Sequence, residues 1–247
     1  SFLVKPDFSK INTQVALAAL GQAFFSLSLG MGCMITYGSY IPKRENLTKL
    51  AFTTAMSDTL FAILAGLAIM PAVFAFGISP QEGPGLVFIV LPRIFGQIPL
   101  GNIFAVMFYL ILFIAAITSA ISLLEVVTAY ITERLKMKRR TAAVIISALV
   151  AVCASFSSLS QGVLQDVKIF GKTIFDFFDY LSANILLPLG GLSIVLFTGW
   201  YIKKSPVYDE FTNQGTLKGT LFRAYYFLIR YVAPIAIAAI FVDLIVR

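Results

Sequence analysis

The sequence predicts an all-α integral membrane protein of six transmembrane helices, the first of them broken. Three observations predict it. The chain is 59% hydrophobic and only 13% charged, with a mean hydropathy of +0.89, far from the balance of a soluble domain. Its apolar runs recur at about the 20-residue length that crosses some 30 Å of hydrocarbon. The basic residues between those runs fall overwhelmingly on one set of alternate loops.

The spans are read in order at about 13–42, 48–77, 101–133, 140–159, 174–201 and 219–246. Within the first lies Ser26-Leu27-Ser28-Leu29-Gly30-Met31-Gly32, with two hydroxyls and two glycines in seven residues. Gly costs roughly 1 kcal/mol of helix propensity against Ala, and Ser competes for nearby backbone. Unwound backbone at membrane depth survives only where protein buries it or where it lines a polar cavity. The stretch therefore predicts a binding site. In the second and fifth spans, Pro71 and Pro188 predict kinks, the latter beside Gly190 and Gly191. The apolar piece 85–94, preceded by Pro84 and containing Pro92, is too short to span; it predicts a re-entrant or surface hairpin on the extracellular side, over about 80–98. No linker or low-complexity stretch divides the chain, so 1–247 is read as one membrane domain. The polar stretch 205–219 is read as a loop.

Charge orients the spans. Twelve basic residues, among them Lys43, Arg139, Lys204 and Arg223, follow the odd-numbered spans, against Arg93, Lys168 and Lys172 on the other side. The positive-inside rule makes the first set cytoplasmic, so the net charge of +7 reflects topology and anionic lipid rather than a nucleic-acid partner. The opening Ser1–Asp7 is too short and polar for a signal peptide, and the reading expects a chain that begins partway through a longer protein. Cys33 and Cys153 lie in apolar runs at no metal-like spacing. With no histidine and no convincing nucleophile–base pair, enzymatic chemistry is not expected.

Polar groups inside the spans carry the functional signal. Asp58 sits about ten residues into the second span; an acid there faces a cavity or a partner, or is protonated and bonded to a neighbouring helix. Gln22 lies one turn before the break and could reach the same pocket. Ala115, Thr118, Ser119 and Ser122 stand at i, i+3, i+4 and i+7 of one helix face. Such a face serves close packing or a cation site, since a sodium ion wants about five or six hard oxygens, which carbonyls and hydroxyls supply without net charge. Glu125 either snorkels or forms a structural pair. Asp176 and Asp179 open the fifth span, where acids favour a helix N-terminus or form half of an outer gate. Tyr40 and Ser39 stand where an inner latch would be.

These residues resemble a family. Gln22–Gly32 followed by Ile35–Tyr40 resembles the sixth segment of the neurotransmitter:sodium symporters. Ala115–Ser122 is similar to their eighth segment, and Asp58–Pro71 to the seventh of bacterial members. The likeness runs through essentially the whole chain, which would be segments six to eleven. It implies the second half of a LeuT-type inverted-repeat transporter, whose broken first and sixth segments cross at a central site. The function implied is sodium-coupled symport of hydrophobic or aromatic L-amino acids by alternating access, in a bacterial cell membrane. Substrate would be lined by Phe25 as a lid and by Ser26, Ser28, Gly30, Met31, Ser119, Ser122 and Leu123. Sodium would occupy two sites completed by residues outside this chain, with Ser26, Ala115, Thr118 and Ser119 as ligands and Asp58 as a ligand or the neighbouring acid. Asp58, with Gln22 in the same region, would supply the negative charge that animal members take from chloride, so no chloride requirement is expected. Tyr40, Ser39 and Glu133 match inner-gate positions, and Asp179 the outer-gate acid. Many members carry Phe where Met31 stands; the adaptable Met suits large apolar or aromatic cargo. The partners implied are the amino acid, the lipid bilayer and segments one to five of the same transporter or a companion chain. A six-span channel or scaffold subunit without substrate coupling is the alternative.

Overall fold

The computed structural model describes Ser9, 11–43, 45–75 and 86–246. Apolar side chains fill runs too long for strands, and backbone groups in lipid must pair within their own segment, so the chain is almost wholly helical. In chain order the helices are α1 (Thr13–Ser26), α2 (Cys33–Tyr40), α3 (Leu47–Ala75), α4 (Leu86–Phe95), α5 (Gly101–Leu135), α6 (Arg139–Leu159), α7 (Ile174–Tyr201), α8 (Lys204–Phe211) and α9 (Phe222–Ile245). Five of them, α3, α5, α6, α7 and α9, are long and apolar enough to cross a membrane. The remaining apolar run is the α1–α2 pair, interrupted where the sequence places the break. This is a multi-pass membrane protein.

The described residues pack as two compact units, one of 52–121 and the other of 9–51 with 122–246. In the first, Val73 of α3 and Val90, Leu91 and Ile94 of α4 form a buried cluster, with Phe95 and Phe108 against it. The Tyr109 hydroxyl donates to the Val87 carbonyl at 2.6 Å, tying α4 to α5. The described part of the expected 80–98 hairpin, from residue 86, is thus mostly helix docked on hydrophobic neighbours; 80–85 lie outside the described residues. Pro71 is accommodated within α3, although its ring removes one ladder donor.

The second unit is built on α7 and α9. Wide π-type turns interrupt α7 at Leu181–Leu186 and Phe197–Tyr201, and α9 at Leu228–Val232. The first of these comes directly before Pro188, which has no N–H to continue the α ladder. Between α6 and α7 a two-residue ribbon pairs Lys168 with Thr173 and Ile169 with Lys172. Its turn residues Phe170 and Gly171 both have positive φ, 50° and 81°, as a type I′ hairpin turn demands. The stretch read as loop over 205–219 contains α8. The Asn12 side chain caps α1 by accepting from the Val15 N–H at 2.9 Å, and Thr173 caps α7 by accepting from the Asp176 N–H at 3.2 Å.

Candidate functional site

The break between α1 and α2 ends the first helix with a complete C-cap. The Leu29 N–H donates to the Phe24 carbonyl and the Ser28 N–H to the Phe25 carbonyl, both at 3.0 Å. That pair of hydrogen bonds is the Schellman arrangement, and it needs a left-handed residue at Ser28, whose φ is 53°. Glycine is the usual occupant of that position; serine accepts strain there and brings a hydroxyl. Gly30 and Gly32 follow at φ 85° and 82°. Three left-handed residues in five cannot propagate a helix. Gly32 then starts α2, its carbonyl accepting from both the N–H (3.0 Å) and the hydroxyl (3.1 Å) of Thr36.

What buries this unwound backbone is a glycine contact. A Cβ on Gly30 would lie 2.4 Å from the Leu187 carbonyl oxygen and 2.9 Å from the Gly191 nitrogen. A Cβ on Gly190 would lie 2.3 Å from the Gly30 carbonyl oxygen, and one on Gly191 would enter the Phe24 ring, 2.0 Å from Cζ. The break rests backbone-to-backbone on α7, and only glycines permit that approach. The consequence is a fixed loop with carbonyls beyond the last turn of α1 and N–H groups at the first turn of α2 outside any helical ladder. Those two ends attract a cation and an anion respectively.

The predicted residues fall in both units. Ser26, Ser28, Gly30 and Met31 lie at the break, with Phe25 one residue before it and 52% exposed. Gln22 and Phe25 line a cavity of about 360 Å³ together with Asn184 of α7 and Asp243 of α9, so three polar side chains reach it from three helices. Ser122, of the second unit, accepts a 2.6 Å hydrogen bond from the Tyr37 hydroxyl, which joins α5 to α2. Leu123 beside it is exposed. In the first unit, Asp58 is half-buried on α3. The Thr118 hydroxyl donates to the Ala115 carbonyl at 2.8 Å, and both residues are exposed on α5 with Ser119. The predicted pair of oxygens therefore stands side by side on one helix turn. Among the described residues no three His, Cys, Asp or Glu side chains gather as a metal cluster.

At the C-terminal end of α2 the Tyr40 hydroxyl donates to one oxygen of Glu125, at 2.5 Å, and Arg139 donates to the other at 2.6 Å. Glu125 thus ties α2, α5 and α6 together, with its side chain 16% exposed and that of Arg139 64% exposed. Ser39 bonds back to the Thr36 carbonyl at 2.7 Å. Glu133, matched to the inner gate by resemblance, lies exposed two turns further along α5. At the start of α7 Asp176 belongs to the helix cap, bonded by the Thr173 hydroxyl at 2.7 Å. Asp179 lines a polar cleft with Lys168 and Lys172, two bases carried there by the ribbon.

Three features escaped the sequence reading. Gly190 and Gly191 were legible as a kink but not as the seat of the break. Asp243 was one acid near the end of an apolar run, with no spacing to mark it. Glu125 was ambiguous because its partners stand 85 residues before it and 14 after it.

The model of the sodium:neurotransmitter symporter family matches residues 1–247. An uncharacterised sodium-dependent transporter of Bacillus subtilis is 41% identical over 244 residues, 99% of this chain and 54% of that protein. One from Haemophilus influenzae is 40% identical over 246 residues, 98% of this chain and 53% of that protein. The crystal structure of MhsT in complex with L-phenylalanine is similar at a TM-score of 0.85 and 45% identity, covering 97% of this chain and 54% of that one. The chain spans about half the length of these relatives.

Proposed function

The chain belongs to the sodium:neurotransmitter symporter family, whose members are transporters and not enzymes, and on that premise we propose that it forms half of a sodium-coupled symporter for hydrophobic or aromatic amino acids. The observation that carries this reading is the unwound Leu27–Gly32 backbone held rigidly on Gly190 and Gly191. It presents helix ends that suit a zwitterion and a cation together. Phe25 and Met31 supply apolar surface for the side chain of the cargo, and Ser26 and Ser28 supply hydroxyls. The similar MhsT holds L-phenylalanine, which supports a large apolar substrate.

Ser26 serves one sodium site, and Ala115, Thr118 and Ser119 serve the other. Asp58, as a sodium ligand or as the neighbouring acid, supplies the negative charge, so chloride is not required. Both sites are completed by segments one to five of the transporter, in a bacterial cell membrane. The exposure of Phe25, Ser26, Thr118 and Ser119 supports such a companion, because hydroxyls at membrane depth are covered by protein rather than lipid. Sodium drives transport only through a differential affinity for outward-open and inward-open states. Tyr40, Glu125 and Arg139 latch the inner side, with Glu133 beyond them, while Asp179 closes the outer side.

The test is uptake by proteoliposomes containing this chain joined to its upstream half. An imposed inward sodium gradient should drive accumulation of labelled phenylalanine or tryptophan, and a potassium gradient should not. Ion conductance without amino acid accumulation would replace this reading with a channel.

A further inference from the structure

A row of cations runs along the seam between α7–α8 and α9, on the side that loop charge assigns to the cytoplasm. Lys204, Ser205 and Tyr208 of α8 line a cavity of about 520 Å³ with Gly219, Phe222 and Arg223. No acid lines it. The Lys204 ammonium lies over two rings, 5.7 Å from the centroid of Phe222 and 5.5 Å from that of Tyr226. Two turns beyond Arg223, the Arg230 guanidinium lies 4.6 Å from the Trp200 ring, 5.9 Å from Tyr226 and 5.8 Å from Tyr231. Its Nε is buried with no hydrogen-bond partner. Tyr226 therefore sits between Lys204 and Arg230.

The row is held stiffly. The Trp200 indole N–H donates to the Arg230 carbonyl at 3.0 Å, and the Tyr226 hydroxyl to the Gly199 carbonyl at 3.2 Å. Tyr208 packs edge-on to Phe222 at 4.9 Å. Aromatic faces orient a cation but do not neutralise it as a carboxylate would. Among the described residues no ion pair involves Lys204, Arg223 or Arg230. Three cations share one seam, two of them open to a cavity that also offers two hydroxyl donors. Trp and Tyr mark the depth of the lipid headgroups, and basic clusters at the cytoplasmic face attract anionic lipid.

We propose that this cavity is a binding site for the phosphate of an anionic phospholipid of the cytoplasmic leaflet, held between Lys204 and Arg223 with Ser205 and Tyr208 as neutral donors. The headgroup would brace the α7–α8 junction against the start of α9. The cytoplasmic placement rests on the same topology as the transport reading. Lipid binding, however, is measured without sodium or amino acid, so either idea can fail alone.

The experiment is native mass spectrometry of the full transporter, titrated with dioleoyl phosphatidylglycerol, dioleoyl phosphatidylcholine or inorganic phosphate. Phosphatidylglycerol should bind more tightly than phosphatidylcholine, and millimolar inorganic phosphate should leave its adducts in place. Lys204→Gln with Arg223→Gln should weaken the phosphatidylglycerol adduct roughly 30-fold, given about fivefold per basic residue near an anionic surface. Lys218→Gln, a loop cation outside the cavity, should leave it unchanged. If the double variant does not fold, Lys204→Gln alone decides, with a roughly fivefold loss expected. Wild-type binding by the Gln variants, or equal binding of both lipids, overturns the proposal. Displacement by inorganic phosphate overturns it in favour of a soluble anion site.

Discussion

Gly30→Ala is the sharpest perturbation of the broken segment. The residue is left-handed at φ 85°, which costs a residue with a Cβ roughly 1–2 kcal/mol. Its Cβ would also stand 2.4 Å from the Leu187 carbonyl oxygen and 2.9 Å from the Gly191 nitrogen. Both are backbone atoms that no rotamer change can move, and overpacking of this kind costs typically about 1–3 kcal/mol. The combined loss is about 2–5 kcal/mol. Two variants separate the terms. Gly32→Ala shares the left-handed φ of 82° but meets only the Val126 methyl at 3.0 Å, so it should lose about 1–2 kcal/mol. Gly162→Ala meets nothing within 4 Å and should be near neutral. Asn tolerates the left-handed region, so Gly32→Asn should be milder than Gly32→Ala, while Gly30→Asn should be no milder than Gly30→Ala. The assay is the thermal inactivation midpoint in detergent, read by fluorescence-detected gel filtration. Gly30→Ala as stable as Gly162→Ala would refute the docking of the break on α7.

Ser28→Gly relieves a strained position and should raise that midpoint, by about 1 kcal/mol of stability, while weakening amino acid binding through loss of the hydroxyl; unchanged binding would remove Ser28 from the site. Glu125→Gln loosens the C-terminal end of α2. The pair with Arg139 is partly solvated, so about 1 kcal/mol is expected, or roughly fivefold faster thiol labelling of a Ser39→Cys reporter; an unchanged rate would deny the latch. Asp58→Asn removes the fixed negative charge near the proposed first sodium site. Sodium-dependent binding should then respond to replacing gluconate with chloride, and a chloride-indifferent variant would deny the charge role.

Much of this was legible in the sequence for one reason: lipid leaves the backbone few choices. Apolar length marks the spans, and a cluster of Gly and Ser at midspan marks the break. The Ala115–Ser122 periodicity placed Ala115 and Thr118 on one turn, where the structure shows them bonded. Partners distant in sequence were not legible. Nothing in Gly190-Gly191 says that Gly30 lies against it, because a glycine reports that something comes close and not what. Glu125 became a three-way joint only once α2 and α6 were placed beside α5. The Phe170-Gly171 ribbon was hidden because a two-residue strand has no periodicity to read. The helical form of 204–211 escaped because its Pro and polar residues read as loop.

Equilibrium binding of labelled phenylalanine to this chain joined with its upstream half, in sodium and then in potassium, tests the central claim most directly. The account predicts saturable binding in sodium, at least tenfold weaker binding in potassium, and loss of the sodium-dependent part in Gly30→Ala. Binding that is indifferent to sodium, or untouched by Gly30→Ala, would contradict it.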